Sequence, residues 1–348
     1  MISDTIVRLS LKKDIHYDEM RAVMEQILGG NIPVRETAEF LKNLALKGES
    51  DEELLAMLNV MDEHSIKINP RHKGRLIDVC GTGGDSRSTF NVSTTSAFII
   101  AASGVGVAKH GNRSASGVTG SADIFEYFGY DLSMSPERVK ELIERFNIGF
   151  MFAQKFHPAM KNVAEARRAL GTRTAFNLLG PLSNPAGVKN QMVGVFAPSY
   201  LQRVITLLQA RGAENVMAVI SEDGLDELTT TSSNQITELK EGKIQKFTLD
   251  PYTFGLERSS LSEIQVSTRA EAVRSFVSVL HGTGSRAMID VTTLNAAAGL
   301  IVGGVTDRWE EAIGIASETI RSGKSFDLLR KFVRFCGDAG KLEEVACL

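Results

Sequence analysis

The sequence predicts an α/β protein in two parts: a small all-helical N-terminal domain, residues 1–69, and a larger α/β domain, residues 70–348, with a mainly parallel central sheet. Three observations carry this. Up to residue 69 the apolar residues recur only at helical spacing. After Asn69-Pro70, short apolar runs alternate with helical segments, the rhythm of a parallel sheet. Two of those runs end in glycine- and hydroxyl-rich loops. The length of 348 residues agrees, at roughly 150 residues per domain.

In order, Asp18 to Leu28 places Met20, Val23, Met24 and Ile27 on one face and stops at Gly29-Gly30. Pro33 opens a second helix, with Ala38, Leu41, Leu44 and Ala45 inward, which Gly48 ends. Ser50 and Glu53 have capping-box spacing and start a third, with Leu54, Leu55, Leu58 and Met61 inward. Three such helices bury little alone and are expected to pack on the rest of the chain or on a second copy. Strands are predicted at Leu76 to Cys80, Val105 to Ala108, Ile148 to Phe152, Met192 to Phe196 and Val216 to Ile220, with a helix from Ser93 to Ser103. Ile236 to Lys240 and Ile244 to Leu249 flank Glu241-Gly242 as an antiparallel hairpin. The tail from about Ala270 reads as helical.

Composition narrows the function. Hydrophobic residues at 43% and charged residues at 23% exclude general disorder. A net charge of −3 opposes a nucleic-acid binder, which presents a basic face, but leaves room for a local basic pocket. Three scattered cysteines, Cys80, Cys336 and Cys347, form neither a disulfide framework nor a zinc site. The segment MISDTIVRLSLKKD lacks the apolar region of a secretory signal, and the apolar stretch Ala97 to Ala108 is too short to span a bilayer. A cytoplasmic protein, with no membrane and no nucleic-acid partner, is expected.

The first strand runs into Gly81-Thr82-Gly83-Gly84-Asp85, then Thr89 and Asn91-Val92-Ser93-Thr94. Glycines at a strand's C-terminal end let backbone N–H groups approach a phosphate, and the following helix N-terminus adds positive potential. Asn91, Ser93 and Thr94 can cap that helix or bind ligand oxygens. The loop matches neither the G-x-x-x-x-G-K-[ST] nor the G-x-G-x-x-G spacing. The second loop, Lys109-His110-Gly111-Asn112-Arg113-Ser114-Ala115-Ser116-Gly117, continues to Gly120-Ser121-Ala122-Asp123 and belongs beside the first, at the carboxyl edge of the sheet. Lys109 and Arg113 offer charge to an anion; Ser114, Ser116 and Ser121 offer hydroxyls. Asp226-Glu227, in a loop after a strand, suits Mg²⁺, which takes oxygen ligands and shares them with phosphates. His157 and Arg167-Arg168 lie at the two ends of one helical stretch.

Taken together these residues resemble the anthranilate phosphoribosyltransferase family. The resemblance rests on Gly81 to Asp85, on Lys109 to Arg113 leading to Gly120-Ser121-Ala122-Asp123, and on GFMFAQKFHPAM at Gly149 to Met160. RTAFNLLGPLSNPA at Arg173 to Ala186 and DGLDE at Asp223 to Glu227 complete it. It implies a nucleoside phosphorylase/phosphoribosyltransferase-like fold, a segment near 172–188 that returns to the helical domain as a hinge, and a homodimer. The implied reaction joins anthranilate to 5-phosphoribosyl 1-diphosphate, giving N-(5-phosphoribosyl)anthranilate and pyrophosphate, a step of tryptophan biosynthesis. Gly81, Gly84, Asp85, Thr89, Asn91, Val92, Ser93, Thr94, Lys109 and Ser121, with the loop from His110 to Gly117, would line the diphosphate substrate. Ser93, Asp226 and Glu227 would hold Mg²⁺. Gly81, Asn112 and Arg167 would contact anthranilate, with His110 and His157 nearby, and no dedicated catalytic base is expected. Gly117-Val118-Thr119 stands where many members carry a serine- and lysine-rich stretch, which removes a cationic contact. The alternatives are a pyrimidine nucleoside phosphorylase-type enzyme and a nucleic-acid-binding relative on the same fold.

Overall fold

The computed structural model describes residues 2–84, 87–114 and 117–347. Four helices open the chain: α1 (Ile2–Ser10), α2 (Tyr17–Leu28), α3 (Val34–Lys47) and α4 (Asp51–Glu63). One more forms than the pattern predicts. The addition, α1, buries Ile2, Ile6 and Leu9, a face too short to stand out in the sequence. The capping box of α4 forms as expected, Glu53 N–H donating to Ser50 Oγ at 3.2 Å and Ser50 N–H to Glu53 Oε2 at 2.8 Å. Glu53 is fully buried and also accepts from the Ile15 N–H at 2.9 Å and Lys47 Nζ at 2.8 Å, so one carboxylate ties the α1–α2 connection to the end of α3 and the start of α4.

Next come β1 (Leu76–Gly81), α5 (Val92–Ala102), β2 (Gly106–Gly111), α6 (Ser121–Tyr127), α7 (Pro136–Phe146) and β3 (Ile148–Phe152). The chain then makes α8 (Ala153–Phe156), α9 (Lys161–Leu170) and α10 (Ala175–Leu182) before β4 (Asn190–Gly194), α11 (Ser199–Ala210) and β5 (Asn215–Ser221). The hairpin β6 (Asn234–Lys240) and β7 (Lys243–Leu249) follows. Five helices close the chain: α12 (Arg269–His281), α13 (Arg286–Val302), α14 (Trp309–Arg321), α15 (Lys324–Cys336) and α16 (Ala339–Ala346). The helical stretch expected from His157 to Arg168 is broken: His157 sits between α8 and a 3₁₀ turn at Pro158–Met160, where the proline resets the backbone.

One seven-stranded sheet runs β3-β2-β1-β4-β5-β6-β7. The first five strands in chain order pair parallel, and the hairpin adds an antiparallel edge. The chain steps outward from β1 through β2 to β3, then returns to place β4 on the other side of β1. The carboxyl ends of β1 and β4 therefore flank the topological switch point, where open α/β sheets bind ligands.

Each face of the sheet has its own core. On one, α5, α12, α13, α14 and α15 pack through Phe98, Phe276, Leu294 and Phe332. On the other, α11 and α10 share a continuous core with the N-terminal helices through Phe40, Leu54, Met57, Phe176, Leu179 and Ile205. Val163 and Ala166 of α9 join this second core, and α9 packs on α2 and α3. Among the described residues, no helix is long and apolar enough to cross a membrane.

Candidate active site

Strands β1 and β4 end in Gly81 and Gly194, and the loop after β5 crosses both. A methyl group at Gly194 would run into the Asp226 backbone, and one at Gly81 would strike the Asp226 carboxylate. Only hydrogen at these two positions lets the acidic loop seat itself over the strand ends. Asp226 Oδ2 there accepts the Gly83 N–H at 2.6 Å, and Glu227 Oε1 accepts the Ser93 N–H, in the first turn of α5, at 3.2 Å. The acidic pair thus lies against both the glycine-rich loop and a helix N-terminus. Its two carboxylates with the Ser93 hydroxyl form a set of hard oxygen donors that fits Mg²⁺. Among the described residues no group of three His, Cys, Asp or Glu forms an all-protein cage.

Beneath the loops, Lys109 is 1% exposed, with Nζ donating to the Val79 carbonyl at 2.7 Å and to Ser93 Oγ at 3.4 Å. Burial pulls its pKa down, opposed chiefly by the charge of Asp78. Asp78 is itself fully buried on β1, and desolvation pushes its carboxyl up to about 6. It accepts the His110 N–H at 3.3 Å and Asn184 Nδ2 at 2.7 Å, and the same Asn184 amide donates to the Ala108 carbonyl at 2.8 Å. A buried pair of opposite charges under the site thus joins β1, β2 and the segment after α10.

The second loop begins later than its sequence suggests. The strand predicted to end at Ala108 extends through Lys109, His110 and Gly111, because β2 pairs with β3 as far as Gly111–Phe152. Asn91, placed by the sequence either to cap α5 or to bind ligand oxygens, makes no capping bond. Its Nδ2 donates to the Thr119 carbonyl at 3.2 Å and its Oδ1 accepts from Thr119 Oγ1 at 2.7 Å, which clips the second loop to the start of α5. Asp123 ties the loop's own ends, accepting from the Gly120 N–H at 2.8 Å, the Ser114 N–H at 3.3 Å and Arg113 Nη1 at 3.0 Å. Arg113, expected to offer charge to an anion, also forks onto Glu126 at 2.8 and 2.6 Å. Its charge is already met within this structure. Asn112 stays exposed, its Oδ1 taking the Arg113 N–H at 2.8 Å. Gly117 donates to Ser114 Oγ at 2.7 Å, Ser121 Oγ lies 3.4 Å from the Asn112 carbonyl, and Val118 packs against the core.

Thr89 bridges Gln265, so the far end of the first loop is pinned to the segment before α12. Val92 is buried with its N–H given to the Phe90 carbonyl at 2.7 Å, and Thr94 is buried one turn into the helix. Asp85, Ala115 and Ser116 lie outside the described residues.

His110 and His157 stand with ring centroids 5.0 Å apart, both buried. Among the described residues, His110 Nε2 and both ring nitrogens of His157 have no close hydrogen-bonding partner. Burial pushes His110 well below its ordinary value and His157 down to about 4, the latter against the opposing pull of the Ser183 backbone. Both rings are therefore neutral near pH 7. Arg167 is half-buried on α9 over the Phe176 ring at 5.6 Å and forms no ion pair among the described residues. Desolvation lowers its pKa.

The sequence pattern singled out both loops and the acidic pair, and the structure brings these together at the switch point. It passed over Asp78 and Gly194, and it gave no role to Asp123 and Asn184, which lie within the quoted stretches. A carboxylate inside the apolar run LIDVC was the one available sign of Asp78.

Comparison with known proteins gives two family matches, one helical and one α/β. The model of a glycosyl transferase family, a/b domain, matches residues 73–326, and that of the corresponding helical bundle domain matches residues 3–65. An anthranilate phosphoribosyltransferase from Nitrosopumilus maritimus is 55% identical over 99% of both chains, and one from Cenarchaeum symbiosum is 47% identical over 97% of this chain and 98% of its own. The crystal structure of the enzyme of that name from Thermus thermophilus superposes with a TM-score of 0.89 at 38% identity, covering 96% of this chain and 99% of its own. The Saccharomyces cerevisiae enzyme in complex with PRPP and Mg shares the fold, with a TM-score of 0.81 at 24% identity over 94% and 92% of the two chains.

Proposed function

The chain belongs to the anthranilate phosphoribosyltransferase family, and we propose that it performs the family reaction in the crevice between β1 and β4. It transfers the phosphoribosyl group of 5-phosphoribosyl 1-diphosphate (PRPP) to the amino group of anthranilate, giving N-(5-phosphoribosyl)anthranilate and pyrophosphate, in tryptophan biosynthesis. The observation that carries the location is the seating of Asp226 and Glu227 against both the Gly83 N–H and the first turn of α5.

In this reading the diphosphate lies at the Gly81–Gly84 loop and the positive N-terminal end of α5, with the Lys109 charge below and the second loop closing over the ribose. Asp226, Glu227 and Ser93 would hold Mg²⁺, which when bound neutralises charge on the diphosphate; the yeast neighbour's PRPP and Mg complex supports this. Anthranilate places its carboxylate on Arg167 and its ring near Asn112, His110 and His157. Its amine is neutral at pH 7, and its lone pair attacks the ribosyl carbon as the bond to the diphosphate oxygen breaks. The electron pair leaves with pyrophosphate and the surplus proton passes from nitrogen to solvent. Positive charge develops on the sugar, as in glycoside hydrolysis, and two neutral imidazoles do not oppose it. The chain contributes alignment and leaving-group stabilisation without a dedicated base.

The division at residues 69/70, with 172–188 as hinge, belongs to this proposal; matches to a helical domain over 3–65 and an α/β domain over 73–326 support the former, and the core that α10 shares with the N-terminal helices supports the latter. So does a homodimer through the helical domain: Val7, Leu11 and Leu46 stay exposed at 57%, 62% and 62% on α1, the turn after it and α3. Sedimentation of Leu11→Glu with Leu46→Glu is expected to show monomer where the parent shows dimer. Release of one pyrophosphate per anthranilate consumed tests the reaction itself. Phosphate-dependent release of a free base from uridine or thymidine would instead favour the phosphorylase alternative.

A further inference from the structure

PRPP brings several negative charges into the crevice, so the cations around the glycine-rich loop can be sorted by whether they are already engaged. Lys109 is buried under the loop, bonded to the Val79 carbonyl and facing Asp78. Arg113 is forked onto Glu126 and bridged to Asp123. Arg87 donates to the Asp223 carbonyl at 2.9 Å.

Arg173 differs from Lys109 and Arg113 in facing no carboxylate among the described residues, and from Arg87 in reaching the glycine-rich loop itself. It stands exposed between α9 and α10, and its Nη2 donates to the carbonyl of Gly84. Its guanidinium lies over the Phe196 ring, 4.2 Å from the centroid, and Phe196 packs in turn on Tyr200 with centroids 4.5 Å apart. Among the described residues it has no carboxylate partner. Gly84 adopts φ +81°, and a methyl group there would meet the guanidinium at 2.9 Å. The cation is therefore held at the mouth of the loop by a ring and a carbonyl, neither of which neutralises it. Arginine in that state matches two phosphate oxygens at once, which lysine cannot.

We propose that Arg173 is a diphosphate-binding residue, exchanging the Gly84 carbonyl for oxygens of the outer phosphate when PRPP enters. This rests on the reading of the crevice as the PRPP site.

The test compares the full-length protein with Arg173→Ala and Arg173→Lys, each checked for an unchanged melting temperature, as expected for an exposed side chain. For Arg173→Ala the KM for PRPP and the inhibition constant of pyrophosphate should both rise about tenfold or more, while the KM for anthranilate stays within about twofold. Arg173→Lys should recover part of the loss. An unchanged KM for PRPP, or a rise confined to anthranilate, overturns the proposal. If the parent protein fails to transfer to anthranilate, the reaction assignment falls instead. Calorimetric binding of PRPP with Mg²⁺ then still decides Arg173, equal affinity in parent and Arg173→Ala counting against it.

Discussion

Asp226 accepts the backbone N–H of Gly83 at 2.6 Å through its Oδ2, joining the loop after β5 to the loop after β1 across 143 residues of sequence. The contact exists because Gly81 and Gly194 have no side chains to exclude it. A loop held this way keeps its carboxylate in place before any ligand arrives.

Removing the two charges while keeping the shapes separates metal binding from folding. Asp226→Asn with Glu227→Gln retains acceptors for the Gly83 and Ser93 N–H groups. Its melting temperature should stay close to that of the parent, while turnover falls and the Mg²⁺ needed for half-maximal rate rises at least about tenfold. A magnesium titration of initial rates checks this; parental rates at parental Mg²⁺ would remove the metal role.

Arg167 makes the complementary prediction. Arg167→Ala should raise the KM for anthranilate far more than that for PRPP, by about tenfold to a hundredfold, the cost of one charge-assisted bidentate pair. Arg167→Lys should recover only part, since an ammonium cannot form the fork. Steady-state kinetics with each substrate varied in turn gives the answer.

The buried His157 predicts a stability slope in acid. Unfolded, its ring takes up a proton near pH 6.5; folded, it resists until about pH 4. Between those values the unfolded state binds more protons, so unfolding free energy falls as pH falls. The loss from this ring is about 2 kcal/mol by pH 5. His110, lowered in the same direction, adds to it. Urea unfolding of the parent and of His157→Gln at pH 7.5 and pH 5 should show a smaller drop in the variant.

Much of this was legible in the chain. The presence and order of the strands (though not their ends), the hairpin and the box Ser50–Glu53 follow from local rules, and glycine-rich loops after consecutive strands announced a ligand site. What escaped depends on distant contacts. Nothing near Asn91 in sequence tells that its amide goes to Thr119 rather than to its own helix. Arg113 looked free because Glu126, which engages it, arrives on the next helix. Asp78 and Lys109 are charges inside strands, and only the sheet register brings them under one site.

The most direct test mixes the purified protein with anthranilate, PRPP and Mg²⁺ and follows anthranilate fluorescence. The predicted result is a loss that needs all three components and nearly vanishes in Asp226→Asn with Glu227→Gln. No loss from folded protein, or the same loss in that variant, would contradict transfer at the β1/β4 crevice.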